Sequence, residues 1–410
     1  MVGIRESIPD SQALRQHMAM MEQAIAGTFV DHSLPVHLLG GVQGPHTLSF
    51  GLRLYRPTAR NLSKASRLAP AIEAAIGDGP VRIYTERGVV WVEVPSPWPV
   101  NVPGSKLRGK GLAVPLGLTA RQAVAGVDFA RDPHLLIVGP TGRGKTTAAR
   151  SIVYHLARQN PRERVQFVLV TFKPGDWQAA GRLGHTLGLV REPQEARKML
   201  DWARQEMQRR AAQGVQEPHL FLVLDDLLNL LALVKAADAL AEIASLGRGA
   251  GLHLVVGTQR LGKRGAGDAA VTGNMPVRLV FGTADSRDAA AFTGRGGSGA
   301  EGLGRYPGDA LLVAHGSVQR LAISPVSDRD LAQLAGGAVP HRNGHDGHGS
   351  GLGALVPQGG RRALTPEERA YIRAVYERTG GNKTETCMIV WGYKNGDVWA
   401  WLEEALAEAR

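Results

Sequence analysis

The sequence predicts an α/β protein built on an open, mostly parallel sheet, and three observations lead to that prediction. Six short apolar runs alternate with helical stretches between residues 116 and 326. A glycine-rich loop follows the first of these runs and precedes a helical stretch, and the third run ends in two consecutive aspartates. Such alternation is typical of parallel strands that helices cover on both faces.

Each of the six apolar runs has the length and the hydrophobicity of a buried strand. The runs are HLLIV (134–138), VQFVLVT (165–171), HLFLVLDD (219–226), LHLVVGT (252–258), VRLVFGT (277–283) and DALLVAHG (309–316). Together with the intervening helical stretches they predict one α/β domain over residues 105–334.

The region before this domain has a different pattern and predicts a small α+β domain over residues 1–104. Four apolar residues recur there at helical spacing, namely Leu14, Met18, Met21 and Ile25. Strand-like runs follow at 46–55, 81–86 and 89–95, and one helix is predicted over 64–76. A proline-rich stretch, 95–104, marks the boundary.

The end of the chain predicts a tethered helical module. Residues 335–362 are rich in glycine and poor in large apolar side chains, which is typical of a flexible linker. Residues 363–410 become periodic again and predict three short helices separated by glycine-containing turns. We interpret this module as helix-turn-helix-like.

Composition restricts the kinds of partner and compartment. Lysine and arginine number 48 against 37 aspartates and glutamates, and the net charge of +11 favours a polyanionic partner. The single cysteine, Cys387, excludes an internal disulfide framework. We find neither an apolar signal core at the start nor an apolar run of about 18 residues, so the sequence predicts no membrane span and a cytoplasmic location.

The glycine-rich loop predicts a nucleotide site. GPTGRGKTT satisfies the pattern G-x-x-x-x-G-K-[ST] between a strand and a helix, which is the context that the pattern requires. Backbone N–H groups and a helix N-terminus would hold the phosphates of ATP, Lys145 would reach the β and γ phosphates, and the Thr146 hydroxyl would bind Mg²⁺. The predicted nucleotide-binding residues are Gly139, Pro140, Thr141, Gly142, Arg143, Gly144, Lys145, Thr146 and Thr147.

Two further strand ends carry candidate catalytic groups. Asp225 follows a buried strand, where its carboxylate would hold Mg²⁺, and Asp226 would orient or deprotonate the attacking water. Gln259 follows the next predicted strand, where its amide would contact the γ phosphate or the water. These residues predict nucleotide hydrolysis.

The order of these segments resembles the FtsK/SpoIIIE family of double-stranded DNA translocases. The resemblance covers residues 14–326 and includes the small domain at 44–95. Within the α/β domain it is carried by segments 133–152, 168–177, 196–210, 246–260, 274–290 and 302–313. It implies a RecA-like P-loop motor that works as a homo-oligomeric, hexameric ring, binds ATP between subunits and holds double-stranded DNA in its pore.

Three features depart from the family pattern. The family commonly has Asp-Glu where this chain has Asp225 and Asp226, so a shorter carboxylate would do the work of the glutamate. The usual Asp-Pro-Lys turn reads TFK at 171–173. The membrane-spanning portion of the cell-division members has no counterpart in this sequence, which favours a soluble relative from a mobile element, plasmid or virus.

The resemblance also assigns roles to basic residues. It implies that Arg248 is the arginine finger supplied to a neighbouring subunit, with Arg287 as the second candidate. Arg260, Lys263 and Arg264 follow the glutamine in a glycine-rich segment that would reach DNA phosphates in the pore.

The small domain adds a further candidate DNA surface. No acidic residue lies between His32 and Ile72, a stretch in which Arg53 and Arg56 are the leading candidates for DNA contact.

Several related functions remain open at this point. A viral genome-packaging ATPase or a conjugative motor would use the same chemistry with another partner. A type VII secretion-like ATPase would act on protein, and a DNA-binding regulator would use ATP only to change its assembly state. The C-terminal module is a candidate DNA-binding unit and a possible site for an additional protein partner.

Overall fold

The computed structural model shows two sheets, each with its own helices and hydrophobic core. The structure describes residues 12–225, 227–231, 233, 236–259, 271, 273–336, 372–373, 376–377, 383, 402–403 and 406. Most of the predicted C-terminal module and nearly all of the predicted linker therefore lie outside the described residues. Within the described part of the chain, no helix has the length and the hydropathy needed to cross a membrane.

Ten α-helices are described. They are α1 (Gln12–Asp31), α2 (Ala59–Ala65), α3 (Ala69–Ile76), α4 (Lys145–Gln159), α5 (Gln178–Gly181), α6 (Pro193–Gln213), α7 (Leu227–Leu231), α8 (Ala236–Leu246), α9 (Ser286–Thr293) and α10 (Asp328–Leu334). The predicted apolar stripe of the first helix is confirmed, because Leu14, Met21 and Ile25 are buried along α1.

The prediction of one helix over 64–76 is wrong, because α2 and α3 are separate. Pro70 lies in the first turn of α3. A proline has no N–H to donate and its ring clashes with the carbonyl four residues earlier, so a continuous helix would be broken here. Instead α2 ends at Ala65, with Ser66 as its C-cap, and α3 begins at Ala69.

The strands divide into a small sheet and a large sheet. They are β1 (Val36–Gln43), β2 (Thr47–Leu54), β3 (Arg82–Glu86), β4 (Val89–Pro95), β5 (Ala113–Thr119), β6 (Val124–Asp128), β7 (His134–Val138), β8 (Val165–Val170), β9 (Thr186–Val190), β10 (His219–Leu224), β11 (Leu252–Thr258), β12 (Val277–Phe281), β13 (Asp309–Ala314) and β14 (Ser317–Ile323). The small sheet is antiparallel, in the order β1-β2-β4-β3.

The large sheet has ten strands in the order β6-β5-β14-β13-β12-β7-β11-β10-β8-β9. The strands from β12 to β9 are parallel, whereas β13, β14, β5 and β6 extend the sheet with antiparallel pairs. All six predicted runs form strands of this sheet. The expectation of a mostly parallel sheet holds for its centre, and the sequence did not reveal the antiparallel extension.

Both faces of the large sheet are covered. One core contains apolar residues of α4, α5 and α10, and the other contains apolar residues of α6, α7, α8 and α9. A third core joins α1, α2 and α3 to the small sheet. The two sheets thus have separate cores, and the third core lies within the residues predicted as the small α+β domain.

A chain of buried charges joins the small sheet to the large one. The Arg82 guanidinium of β3 donates to the Glu93 carboxylate of β4 over 3.1 Å. Arg320 of β14 lies 3.6 Å from the same carboxylate and donates to Asp309 of β13 over 2.5 Å. All four side chains are at least nine-tenths buried. Removing one member would leave a buried charge without its partner, so these contacts fix the small domain against the large sheet.

Three histidines lie together at the amino ends of the parallel strands. His219 Nδ1 of β10 is 3.0 Å from His253 Nε2 of β11, and the His253 ring stacks on Phe221 with ring centroids 4.4 Å apart. His134 Nδ1 of β7 accepts from the Leu254 N–H over 3.0 Å. Burial lowers the pKa of His134 to about 4 and that of His253 to about 3.

We expect the protein to lose stability between pH 6.5 and 4. Unfolding returns both histidines to a pKa near 6.5, so below that pH the unfolded chain binds protons that the folded chain does not. Each histidine would lower the free energy of unfolding by about 2 kcal/mol between pH 6.5 and pH 5. Urea unfolding at pH 7.5 and pH 5 measures the effect as a fall in the midpoint. An unchanged midpoint at pH 5 would contradict the neutral, buried state of the cluster.

Candidate functional site

The carboxyl ends of the parallel strands bring the predicted site residues to one edge of the large sheet. The last residue of β7, Val138, pairs with Thr258 of β11 and with Val280 of β12. The end of β10, Leu224, pairs with Val256 of β11. Since these strands are parallel, the loops that follow β7, β10 and β11 leave the sheet side by side.

The loop after β7 has a backbone that only glycine adopts without strain. Gly139, Gly142 and Gly144 have φ angles of 150°, 79° and 110°. A Cβ atom on Gly139 would also lie 2.5 Å from the Phe281 carbonyl oxygen. Backbone shape therefore requires all three glycines of the motif, and close packing against Phe281 of β12 adds to this requirement at Gly139 and Gly144.

Lys145 is the first residue of α4, and its ammonium group turns back over the loop. Its Nζ atom donates to the carbonyl oxygens of Gly139 and Pro140 over 2.7 and 2.9 Å. The side chain is 8 % exposed. Gly144 is the N-cap of α4 and provides no side-chain cap, so the positive end of the helix dipole faces the loop.

The predicted metal ligands lie in direct contact. The Thr146 hydroxyl donates to the Asp225 carboxylate, with distances of 2.9 and 3.1 Å to its two oxygens. Lys173, from the segment after β8, places its ammonium group 3.6 Å from Asp225 Oδ2. Burial raises the pKa of the Asp225 carboxyl, while Lys173 and the Thr146 hydroxyl act in the opposite direction.

This donor set fits a magnesium-nucleotide. A hydroxyl and a carboxylate side by side are the hard oxygen ligands that Mg²⁺ takes in phosphate sites, with nucleotide phosphates and water completing the shell. The glycine loop, the uncapped start of α4 and the Lys145 ammonium together provide N–H donors and positive charge for phosphate. Lys173 adds a second positive charge that sequence reasoning did not assign to the site.

Gln259 lies at the same edge, and Asp226 lies outside the described residues. Gln259 is exposed and directly follows Thr258, whose carbonyl oxygen accepts from the Gly139 N–H over 3.2 Å. The predicted glutamine is therefore connected through one backbone contact to the start of the nucleotide loop. Its role at the γ phosphate stays a prediction.

The two candidate arginine fingers lie at opposite ends of the parallel strands of the large sheet. Arg248 is exposed in a 3-10 turn (Gly247–Ala250) that precedes β11, at the amino end of the strand. The seven residues of β11 separate it from the nucleotide edge by about 20 Å. Arg287 is exposed in the first turn of α9. This helix follows the carboxyl end of β12, so Arg287 lies at the same end of the parallel strands as the nucleotide loop of its own chain.

The candidate DNA-contacting residues fall into two groups. Arg260, Lys263 and Arg264 lie outside the described residues. Arg53 and Arg56 are exposed around the end of β2. Arg60 and Arg67, which belong to the same stretch without acidic residues, are also exposed, and no ion pair joins any of these four arginines to a described residue.

Sequence reasoning assigned no role to residues 302–308, which form hydrogen bonds with the nucleotide loop. The N–H of Gly308 donates to the Arg143 carbonyl oxygen over 3.0 Å, and the Arg143 guanidinium donates to the Gly304 carbonyl oxygen. Three glycines in GLGRYPG (302–308) were the available signal, because glycine permits such a close approach of two backbones.

The comparison with protein families agrees with this geometry. Residues 106–216 match the model of the FtsK/SpoIIIE family, a stretch that contains the whole nucleotide loop and Lys173. The chain carries an FtsK/SpoIIIE family domain. The sequence resemblance is thereby confirmed for the first half of the predicted α/β domain, and the residues from Asp225 onward lie beyond the matched stretch.

Curated relatives extend the FtsK/SpoIIIE likeness over most of the chain. DNA translocase FtsK of Lactiplantibacillus plantarum is 25% identical over 357 residues, which cover 76% of this chain and 44% of the relative. DNA translocase FtsK of Caldanaerobacter subterraneus is 26% identical over 330 residues, covering 71% of this chain and 45% of the relative. The chain thus spans less than half the length of these relatives.

A solved structure shares the fold. The pCW3 conjugation coupling protein TcpA, determined as a monomer with ATPγS, superposes with a TM-score of 0.53 at 17% sequence identity. The superposition covers 78% of this chain and 98% of TcpA. The prediction of an α/β P-loop fold for the FtsK/SpoIIIE domain is confirmed.

Proposed function

We propose that this protein is an ATPase that hydrolyses ATP to move double-stranded DNA. The observation that carries the proposal is the meeting of Lys145, Thr146 and Asp225 at one sheet edge, next to a glycine loop shaped for phosphate. The FtsK/SpoIIIE domain and the DNA translocases among the relatives support DNA as the substrate.

Each residue of the site has a role in this chemistry. The loop amides and the Lys145 ammonium would bind and orient the β and γ phosphates. Thr146 and Asp225 would hold Mg²⁺, which would neutralise part of the negative charge of the phosphates. The short contacts of Lys145 to two loop carbonyls keep its ammonium poised over the loop before nucleotide arrives.

Hydrolysis needs a base for the attacking water and a group that senses the γ phosphate. Asp226 would polarise the water, and Gln259 would report the state of the γ phosphate to the segment that follows it. Because Gln259 adjoins the Thr258 carbonyl that binds the Gly139 N–H, a change at the phosphate would be transmitted to the end of β11 and to the segment that follows it. This path would connect hydrolysis to the DNA-contacting candidates beyond residue 259.

The position of Arg248 supports the proposal of a ring of subunits. At the amino end of β11 the guanidinium cannot reach the nucleotide of its own chain, and it is exposed for contact with a neighbour. We infer a closed homo-oligomer, hexameric by the family resemblance, in which each site takes Arg248 from the adjacent subunit. The source of the DNA, whether mobile element, plasmid or virus, stays a prediction.

The exposed arginines of the small domain provide a test of DNA contact. We expect Arg53→Ala and Arg56→Ala each to weaken binding to duplex DNA irrespective of sequence, because phosphate contacts do not read bases. Each substitution should lower the slope of log affinity against log salt by about one. Fluorescence anisotropy with labelled duplexes of two unrelated sequences, from low to moderate salt, measures both effects.

Arg329→Ala is the matched control for these substitutions. Arg329 is exposed on α10, away from the small domain, so its removal changes the net charge equally. An equal loss of DNA affinity in the control would show that only net charge matters. Unchanged DNA affinity in both small-domain variants would show that this surface does not contact DNA.

A further inference from the structure

Residues 303–308, which we call the bridging segment, contact one residue of the nucleotide loop and two separate parts of the small domain. Its contacts with the loop are the two hydrogen bonds that join Gly304 and Gly308 to Arg143. The fit is close, since a Cβ on Gly304 would lie 3.1 Å from the Arg143 guanidinium and one on Gly144 would lie 3.3 Å from the Gly308 nitrogen.

The same segment is anchored in the small domain by its two large side chains. The Arg305 guanidinium forms an ion pair with Asp78, which follows α3, and donates to the Gly79 carbonyl oxygen over 3.3 Å. The Tyr306 hydroxyl donates to the Ser96 carbonyl oxygen just after β4, and the tyrosine is 4 % exposed. The segment therefore cannot shift relative to the small domain without breaking these contacts.

The bond from Gly308 sets the direction of one amide of the nucleotide loop. In a trans peptide the C=O and the following N–H point in opposite directions. Because the Arg143 carbonyl oxygen is held toward Gly308, the Gly144 N–H points away from the bridging segment. Gly144 is the N-cap of α4, and its N–H belongs to the set that a loop of this pattern directs at phosphate.

We propose that Arg305 and Tyr306 are positioning residues that make the affinity of the loop for nucleotide depend on the position of the small domain. This inference rests on the proposed function in taking ATP as the ligand of the loop. A displacement of the small domain, such as the pull of bound DNA, rotates the peptide between Arg143 and Gly144 and weakens one phosphate contact. Nucleotide binding in turn favours one position of the small domain, because such coupling is reciprocal.

Nucleotide affinity in two variants tests the proposal. We expect Arg305→Gln and Tyr306→Phe each to raise the Kd for a fluorescent ATP analogue with Mg²⁺ by about fivefold, the lower end of typical coupling between sites. Arg121→Gln is the matched control. Arg121 joins the turn after β5 to Glu86 of the small domain over 2.5 Å, and among the described residues no hydrogen bond or ion pair joins it to the bridging segment. Its Kd should stay within about twofold of the parent.

A rescue experiment separates positioning from general destabilisation. Arg305→Lys keeps a cation for Asp78 and should bind the analogue nearly as the parent does. The double variant Asp78→Asn/Arg305→Gln should lose no more affinity than Arg305→Gln alone, because both changes break one pair. Thermal unfolding monitors folding, and if Arg305→Gln does not fold, Tyr306→Phe decides.

The possible failures are distinguishable. Parent-like Kd values in folded Arg305→Gln and Tyr306→Phe would overturn the coupling and leave the ATPase proposal standing. A parent protein that does not bind the analogue would contradict the proposed function itself. An equal loss of affinity in Arg121→Gln would show that any loosening of the small domain suffices, which would remove the specific role of the bridging segment.

Discussion

We expect Lys145→Ala to abolish ATP turnover, with a loss of at least about a hundredfold. The Lys145 ammonium is held over the loop by two carbonyl oxygens, and no other described lysine contacts these atoms. Without it, the charge that develops on the transferred phosphate loses its nearest cation. Steady-state phosphate release at saturating ATP and Mg²⁺ measures the loss.

Lys198→Ala is the control for this substitution, because Lys198 is an exposed lysine on α6 with no role in the site. Its rate should equal that of the parent. The Lys145→Ala variant should also keep the parent's thermal stability to within a few degrees, since the Lys145 ammonium donates to carbonyl oxygens of the nucleotide loop and the side chain belongs to none of the three hydrophobic cores. A variant that hydrolyses ATP at the parent rate would remove the loop from the mechanism.

Arg248→Ala should lower turnover by about a thousandfold, as expected when an arginine finger is lost. Nucleotide affinity should change little, because the guanidinium lies about 20 Å from the nucleotide edge of its own chain. Arg287→Ala, the change at the second candidate, should leave turnover within a few-fold of the parent. Parallel measurements of phosphate release and of analogue binding separate the two arginines.

Mixing two inactive variants tests whether Arg248 acts on a neighbour. In an equal mixture of Lys145→Ala and Arg248→Ala subunits, about a quarter of the interfaces of a head-to-tail ring combine an intact loop with an intact finger. Turnover should therefore reappear in the mixture after subunit exchange. A mixture as inactive as its components would exclude the trans role, and Arg287 would become the leading candidate.

The sequence predicted the parallel centre of the large sheet well. The bounds of β7 and β11 equal the predicted runs, because both strands are buried on both faces and are apolar throughout. The strands β1, β5, β6, β9 and β14 were missed. Residues of β1, β6 and β9 are partly exposed, and β1 contains Gly40 and Gly41 at an irregularity in its pairing, so no apolar run marks them. Pro115 and Gly117 interrupt the apolar pattern of β5 at a second irregularity, and the first three residues of β14 are not buried.

The candidate site was predictable to the extent that its residues follow strands. Each of Lys145, Thr146, Asp225 and Gln259 adjoins a strand whose carboxyl end was recognisable, and the parallel sheet brings them together. Lys173 and the bridging segment also adjoin predicted strands, but the sequence did not reveal which residues they contact. Their contacts join residues that are far apart in sequence, such as Asp78 with Arg305, and no local pattern records a pairing of that kind.

A DNA-moving function is tested most directly by the rate of ATP hydrolysis with and without long linear duplex DNA. Low salt is the appropriate condition, because phosphate contacts weaken steeply as salt rises. Duplex DNA should strongly stimulate hydrolysis, and this stimulation should disappear in Lys145→Ala. An ATPase whose rate is the same with and without duplex DNA would contradict a DNA-moving function for this protein.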